Sequence, residues 1–507
     1  MDTLAIINTA TLHGATATRT VIEARATTGL PGFTITDQPD GPARETRDRV
    51  RAAILSSGYA WPQQPVTVTI PNVAYGRGLA SSLDLAIAIA VLVVTGQLDA
   101  STVQYVAFLG ELGLDGTIRG VPAAYALAEA ITSPTLIVPP ANVNQVAALG
   151  HDAGHDAIHT APNLAALVDC LNGTHPWPEP PTTPPPATTT APTPAPIGPI
   201  DPAIAETLEI AAAGAHHVLI TGPSPDHDRY AAFLAALLPD LTDTQRLDVA
   251  RLHSAAGLDH PAAPTRPPFR TVAPTASAVA LYGARRPGEA SCAHHGVLYL
   301  AELAEHASAN LDALRQPLTG GEIVIQRARE VLTFPARFLL IAASRACPCN
   351  QPAAQCRCSL PARQRYARRL AGPTRERFDL HITSTTNLPA PSPSGQLVAA
   401  RARVAAARLI ATARCNVTNG ALTADQLDQY ATLTATSATR LDHARRVGTI
   451  TEHGIARVRR VARTIDDLHG HRGAVLDADA VTAAYRLVTG TTLDDLQPAT
   501  KTAEETA

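Results

Sequence analysis

Lysine is almost missing from this chain. Of 41 basic residues only Lys501 is a lysine and the other 40 are arginines, over a length of 507 residues. Lys501 lies in a polar tail, so the folded body offers no amine for a phosphate-binding lysine, a Ser-Lys dyad or a Schiff base. Aromatic residues are scarce, at 4%, and alanine is abundant, which predicts helices packed closely through small side chains. An excess of charge is missing too: the formal net charge of −3 excludes a general polyanion-binding charge and an acidic tail. The N-terminus, Met-Asp-Thr-Leu-Ala-Ile-Ile, has no basic region, so no signal peptide is expected. The longest apolar run, Leu83 to Val94, is interrupted by Asp84 and falls short of the ~20 residues that span a bilayer. It reads as a core helix, and no membrane partner is expected. Seven cysteines, an odd number with four in one cluster, do not make a secreted disulfide framework; a reducing cytoplasm is the expected location.

A hydrophobic share of 45% allows real cores, and the length suits three domains. The clearest boundary is a Pro/Thr tract without apolar periodicity, which reads as a semi-extended spacer over 173–200. Before it, over 1–172, strand-like runs (Thr20 to Ala26, Pro65 to Ile70, Tyr105 to Leu109, Thr135 to Val138) alternate with helical ones (Arg44 to Ser56, Ser82 to Val94). A second α/β unit is expected over 201–390, a helical unit over 391–492 and a polar tail over 493–507. The fold class is α/β multidomain.

At the head of the second unit, His217-Val-Leu-Ile-Thr-Gly-Pro-Ser-Pro-Asp-His-Asp-Arg229 has the outline of a phosphate-binding loop. The apolar run reads as a buried strand, Gly222-Pro223 breaks it, and Tyr230 to Leu238 follows as a helix. A working loop of this kind puts a Lys on the β/γ-phosphates and a Ser/Thr hydroxyl on Mg²⁺. Here those positions are Asp228 and Arg229, and Pro225 removes an N–H donor. The outline is kept and the chemistry is not; residual nucleotide binding through Gly222 and the helix start is the minor alternative.

Two blocks go beyond that outline. Gly29-Leu-Pro-Gly-Phe-Thr-Ile35, Glu45 to Gly58, Phe108-Leu-Gly-Glu-Leu112 and Gly116-Thr-Ile-Arg-Gly120 resemble the N-terminal domain of the magnesium-chelatase-like AAA+ proteins of the ComM/YifB type. Arg286-Pro-Gly-Glu289, Gly296 to Leu303, Leu311 to Leu318, Thr333 to Phe338, Cys347-Pro-Cys349 and Arg377-Phe-Asp-Leu-His381 follow that family's AAA+ core in order, and Arg460 to Leu468 resembles its C-terminal helical segment. The resemblance implies a Lon-protease-like N-terminal domain, an AAA+ core and a helical lid. It also implies ring hexamers, ATP hydrolysis and DNA branch migration.

Against the family's pattern, several parts of the motor have changed. The strand Val297 to Leu300 is followed by Ala301-Glu302 where Asp-Glu would hold Mg²⁺ and polarise water. Glu302 reads as vestigial, or as a solvated or capping carboxylate. An Asn that contacts the γ-phosphate is replaced by Arg345, and the lid's sensor Arg falls near His453. Arg377 matches the arginine finger, and two readings stand: it serves a neighbouring subunit's nucleotide, or it makes an interfacial ion pair. ATP and Mg²⁺ binding are expected to be lost. Ser82 falls near the Lon nucleophile but has no lysine partner, so Ser81 or Ser82 is read as an N-cap instead.

Cys347, Cys349, Cys356 and Cys358 leave three readings open: a structural zinc site, free reduced thiols, or a redox pair. Cys170, Cys292 and Cys415 read as packing residues. Arg327 and Arg329 fall at the turn of a hairpin that would face a ring's pore. Arg363, Arg365, Arg368 and Arg369 form a second cluster, and Arg457, Arg459, Arg460 and Arg463 a third. Phosphate contacts are one reading of these clusters; solvated faces and ion pairs are the other. The expected role is a non-hydrolysing scaffold or regulatory subunit that joins itself or an active paralogue in a ring, with DNA as partner. The rivals are an ATP-driven motor using an unorthodox site and a decaying paralogue.

Overall fold

The computed structural model describes residues 3–36, 40–70, 80–147, 155–179, 200–222, 226–258, 264–327, 331–351, 355–384, 395–491 and 493. Its first sheet has seven strands, in the order Gly32–Thr36, Pro65–Thr69, Thr16–Ala26, Thr3–His13, Val106–Phe108, Thr135–Ile137, Ala157–His159. The two longest strands form an antiparallel hairpin paired from Thr3↔Ala26 to His13↔Thr16. Gly14, at φ 64°, allows its two-residue turn.

The apolar helix Asp84–Val94 is buried on every side, as an apolar run without a polar face must be. Its one charge, Asp84, is fully buried and takes a bidentate pair of bonds from Arg49 on helix Asp40–Ser56, at 2.7 and 3.1 Å. Desolvation raises the Asp84 carboxyl to about 6 against the opposing pull of Arg49. Ser81 and Ser82 are not caps. They lie in a 3₁₀ turn, Ala80–Leu83, and the helix starts behind Leu83, which makes no side-chain cap bond.

The second sheet has five strands, all parallel, in the order Phe269–Val272, Val297–Leu300, Leu339–Ser344, Val218–Thr221, Leu380–Thr383. Helices Pro202–Gly214, His227–Leu237 and Asp243–Ala256 belong to the same unit. Five helices follow: Gly395–Cys415, Ala424–Tyr430, Ala435–Arg446, Glu452–Leu468 and Ala478–Thr489. They share one continuous apolar core with the parallel sheet, from Val218 and Ile341 through Leu208 to Val461 and Tyr485. The architecture is mixed α/β with a parallel core and a helical C-terminus. The two sheets are tied together by Arg251, which makes a bidentate pair with Glu129, and by Ala255, which packs into the core beneath the first sheet. Among the described residues no helix is long and apolar enough to cross a membrane.

Candidate functional site

The nucleotide-loop outline exists in three dimensions. The strand Val218–Thr221 sits between Leu339–Ser344 and Leu380–Thr383 and runs into Gly222. Gly222 has φ 136°, and a Cβ there would come within 2.5 Å of the carbonyl oxygen and Oγ of Ser384, so only glycine fits. Pro223, Ser224 and Pro225 lie outside the described residues. The following helix starts at His227 rather than Tyr230, which puts Asp228 and Arg229 in its first turn. A carboxylate there satisfies the helix dipole that would otherwise attract phosphate.

Each charge around the loop has a partner within the chain. The Tyr299 hydroxyl, from strand Val297–Leu300, donates to Asp228 Oδ1 at 2.8 Å, and Arg229 pairs with Asp226 at 2.9 Å. Burial first, and then the Asp228 bond, drive the Tyr299 pKa far upward, so the phenol stays a donor. Ala301 packs against the apolar core, and Glu302 sits in the left-handed region at φ 51°, ψ 52°. Glu302 Oε2 accepts from Arg345 Nε at 2.6 Å, while another Arg345 nitrogen donates to the Pro348 carbonyl at 3.3 Å. Glu302 and Arg345 therefore close on each other. His227, the first residue of the helix, is buried, with Nε2 unpartnered among the described residues; burial lowers its pKa against Glu302, Asp228 and Asp226.

The two remaining motor positions differ in burial. Arg377 is only 8% exposed and donates to Asp312 Oδ1 of its own chain at 2.8 Å. His453 is exposed at the start of helix Glu452–Leu468, while Arg457, one turn on, is buried and donates to the Phe378 carbonyl at 2.9 Å. A cavity of about 420 Å³ lies elsewhere, between Arg286, Val279 and Leu258, over the Arg270–Glu289 pair at 2.6 Å.

The four clustered cysteines converge: their sulfurs all lie within 4.8 Å of one another. Cys347 Sγ is 3.1 Å from Cys349 Sγ and 3.5 Å from Cys356 Sγ, with Cys349 to Cys356 at 3.6 Å. A tetrahedral ZnS₄ centre with Zn–S near 2.3 Å needs sulfurs roughly 3.8 Å apart, so the donor set fits zinc with small shifts. Hydrogen bonding, first from Cys347, lowers the Cys349 thiol to about 6, and burial first pushes Cys347 up to about 11. A second convergence, Asp248, His294 and His295, does not fit a metal. His294 Nδ1 accepts the Arg337 backbone N–H at 2.9 Å, and burial first lowers this ring to about 3. In that neutral ring the hydrogen is on Nε2, leaving no lone pair for an ion.

Arg327 is exposed at the end of strand Glu322–Gln326, which pairs with Val331–Pro335 in the expected hairpin; Arg329 lies outside the described residues. The cluster on helix Glu452–Leu468 is not a basic surface. Arg457 and Arg463 are buried, Arg459 donates to the Ala431 carbonyl and Asp428, and Arg460 donates to the Leu422 carbonyl. Arg463 donates to the carbonyls of His471 and Gly473 and pairs with Asp467. Tyr299, Asp312 and His227 were invisible as site residues in the sequence, because nothing local signals that Tyr299 reaches Asp228 or Asp312 reaches Arg377.

Comparison with known proteins agrees with this architecture. Residues 201–390 match the family described as magnesium chelatase, subunit ChlI; residues 22–142 match subunit ChlI of Mg-chelatase, and 396–486 match the ChlI C-terminal family. The chain is similar to the uncharacterized protein YifB of Escherichia coli (34% identical over 486 residues, 92% of this chain and 93% of that protein). It is similar also to an uncharacterized Mycobacterium tuberculosis protein, 33% identical over 92% of this chain and 95% of the other. The competence protein ComM of Haemophilus influenzae is 32% identical over 92% of this chain and 94% of that protein. This chain belongs to the magnesium chelatase ChlI family, in the branch that includes YifB and ComM.

Proposed function

We propose that this protein keeps the architecture of an ATP-driven AAA+ ring motor but does not hydrolyse ATP, and acts as a scaffold or regulatory subunit in a DNA-related process. The name of its ComM relative points to competence as that process. The carrying observation is the closed charge set at the loop: Asp228 takes the Tyr299 hydroxyl and Glu302 takes Arg345, where a motor would hold phosphate, metal and water. Phosphoryl transfer depends chiefly on cations that stabilise charge on the transferring group. Here a carboxylate stands where the cation belongs, and Ala301 stands where the metal-side carboxylate belongs. The N-terminal domain is read as Lon-like without peptidase activity, since Ser82 has no lysine within the folded body. The cysteine cluster is read as a structural zinc centre held by Cys347, Cys349, Cys356 and Cys358, where zinc would crosslink residues 347–358. Cytoplasmic ring assembly, with itself or with an active paralogue, completes the reading.

A steady-state ATPase assay tests it. Turnover is expected at the level of the buffer blank, with or without DNA. Hydrolysis that Glu302→Gln abolishes would overturn the proposal.

A further inference from the structure

We propose that helix Leu360–Leu370, together with Arg357 before it, is the surface on which this chain takes the sugar-phosphate backbone of a nucleic acid. The inference rests on the DNA-related reading above and gives it a place. Residues 357–370 carry Arg357, Arg363, Arg365, Arg368 and Arg369 and no acidic residue, on a chain whose net charge is −3. All five arginines are exposed.

Elsewhere the protein closes its arginines on carboxylates, as in Arg49–Asp84, Arg251–Glu129, Arg270–Glu289 and Arg403–Glu209. On this helix only Arg369 is engaged, donating to the Ala304 carbonyl at 2.7 Å with Glu305 at 3.8 Å. Among the described residues the side chains of Arg357, Arg363, Arg365 and Arg368 have no carboxylate or hydrogen-bond partner. Favourable interaction with the helix dipole accounts for Arg368 and Arg369 in the last turn, but not for the three upstream. Like charges one turn apart, as at Arg365 and Arg369, repel, and an external anion would relieve that repulsion.

The surface is also held in place. Tyr366 is buried, with its hydroxyl 3.5 Å from Ser344 Oγ at the end of the central strand Leu339–Ser344, and so anchors the helix to the sheet. The four-cysteine cluster ends at Cys358, just before the helix. Guanidinium forks match phosphate oxygens in pairs. Arg365 and Arg368 share one face, about 4.5 Å apart along the helix, a little over one phosphate step on one strand of a duplex. The only aromatic side chain in the segment is buried and cannot stack on bases, so recognition is of the backbone and not of sequence. Leu360 is the single exposed large apolar side chain here, too little to enter a lipid surface.

The test is fluorescence anisotropy of a labelled DNA duplex titrated with the full-length protein, between ~50 and ~200 mM salt. The double variant Arg365→Glu/Arg368→Glu is expected to weaken binding at least about tenfold and to flatten the log K against log salt slope by about 2. The charge-matched control Arg445→Glu/Arg446→Glu and the hairpin variant Arg327→Glu are expected to change it far less. Unchanged melting by circular dichroism confirms that each variant folds. The proposal is overturned if the helix variant binds like the wild type, if Arg327→Glu alone abolishes binding, or if the wild type binds no DNA. It is overturned equally if polyglutamate displaces the probe as well as unlabelled DNA of equal charge, which would make the partner an acidic protein. None of these outcomes bears on the ATPase measurement, so the two readings fail separately.

Discussion

The nucleotide loop and the segment from Cys347 to Leu370 treat charge in opposite ways. Around the loop, Asp228, Arg229, Glu302 and Arg345 each take a partner from the same chain, and the region is electrostatically complete without a ligand. In the other segment four thiols converge, and among the described residues the side chains of Arg357, Arg363, Arg365 and Arg368 have no carboxylate beside them. The two regions adjoin, since Arg345 and Cys347 are two residues apart. Polar groups that satisfy each other keep a shape; polar groups left to converge or to face outward imply something to bind.

The largest effect is expected where a closed charge set is fully buried. In the C-terminal helices the buried Asp467 accepts from Asn419 at 2.8 Å and pairs with the half-buried Arg414 and with the fully buried Arg463. Asp467→Ala removes the carboxylate shared by two guanidiniums, leaving Arg414 with Asn419 and Arg463 with the more distant Asp466 and two carbonyls, and is expected to cost about 3 kcal/mol in urea unfolding. A loss under about 1 kcal/mol would show that closure carries little of the stability.

The opposite kind of region is probed by metal analysis. Freshly reduced protein is expected to hold about one zinc per chain, and Cys347→Ser is expected to lose it and to melt at lower temperature. Metal-free protein whose melting the substitution leaves unchanged would mean that the thiols converge without purpose.

The pH dependence of the closed interior probes the same comparison without a substitution, through the sum of several buried groups. Burial, as the first cause in each, holds His216 at about 4, His294 at about 3 and His381 at about 4. The unfolded chain protonates these rings from pH ~6.5 downward, so the stability they give is present above that value. It is lost toward pH ~4, at about 1.4 kcal/mol per pH unit for each histidine. Asp84, raised to about 6, acts in the other sense: between pH ~6 and ~4 it holds a proton that the unfolded chain has released, offsetting about one histidine. Melting temperature should therefore fall between pH ~7.5 and ~5, and an unchanged value would contradict the burial of these rings.

How much of this was legible depended on whether the signal was local. The strand, Gly222 and the helix behind it were readable because their apolar runs are contiguous, and the four cysteines because their spacing is short. The strand Thr3–His13 was missed since Leu4 and Ile6 are exposed while Ala5 and Ile7 are buried, so both faces carry apolar residues and no alternation shows. The spacing of the arginines at 457–463 left phosphate contacts and ion pairs both open. Their carbonyl and carboxylate partners come from other turns of chain. Glu302 and Arg345 were each noted as departures from a motif. That one neutralises the other is a tertiary fact, 43 residues apart in sequence.

The central claim is that the loop is closed by its own residues, and calorimetric titration of the full-length protein with ATP, with and without Mg²⁺, meets it directly. The account predicts no saturable heat in either condition. Stoichiometric binding of Mg-ATP, lost in Gly222→Val, would contradict it.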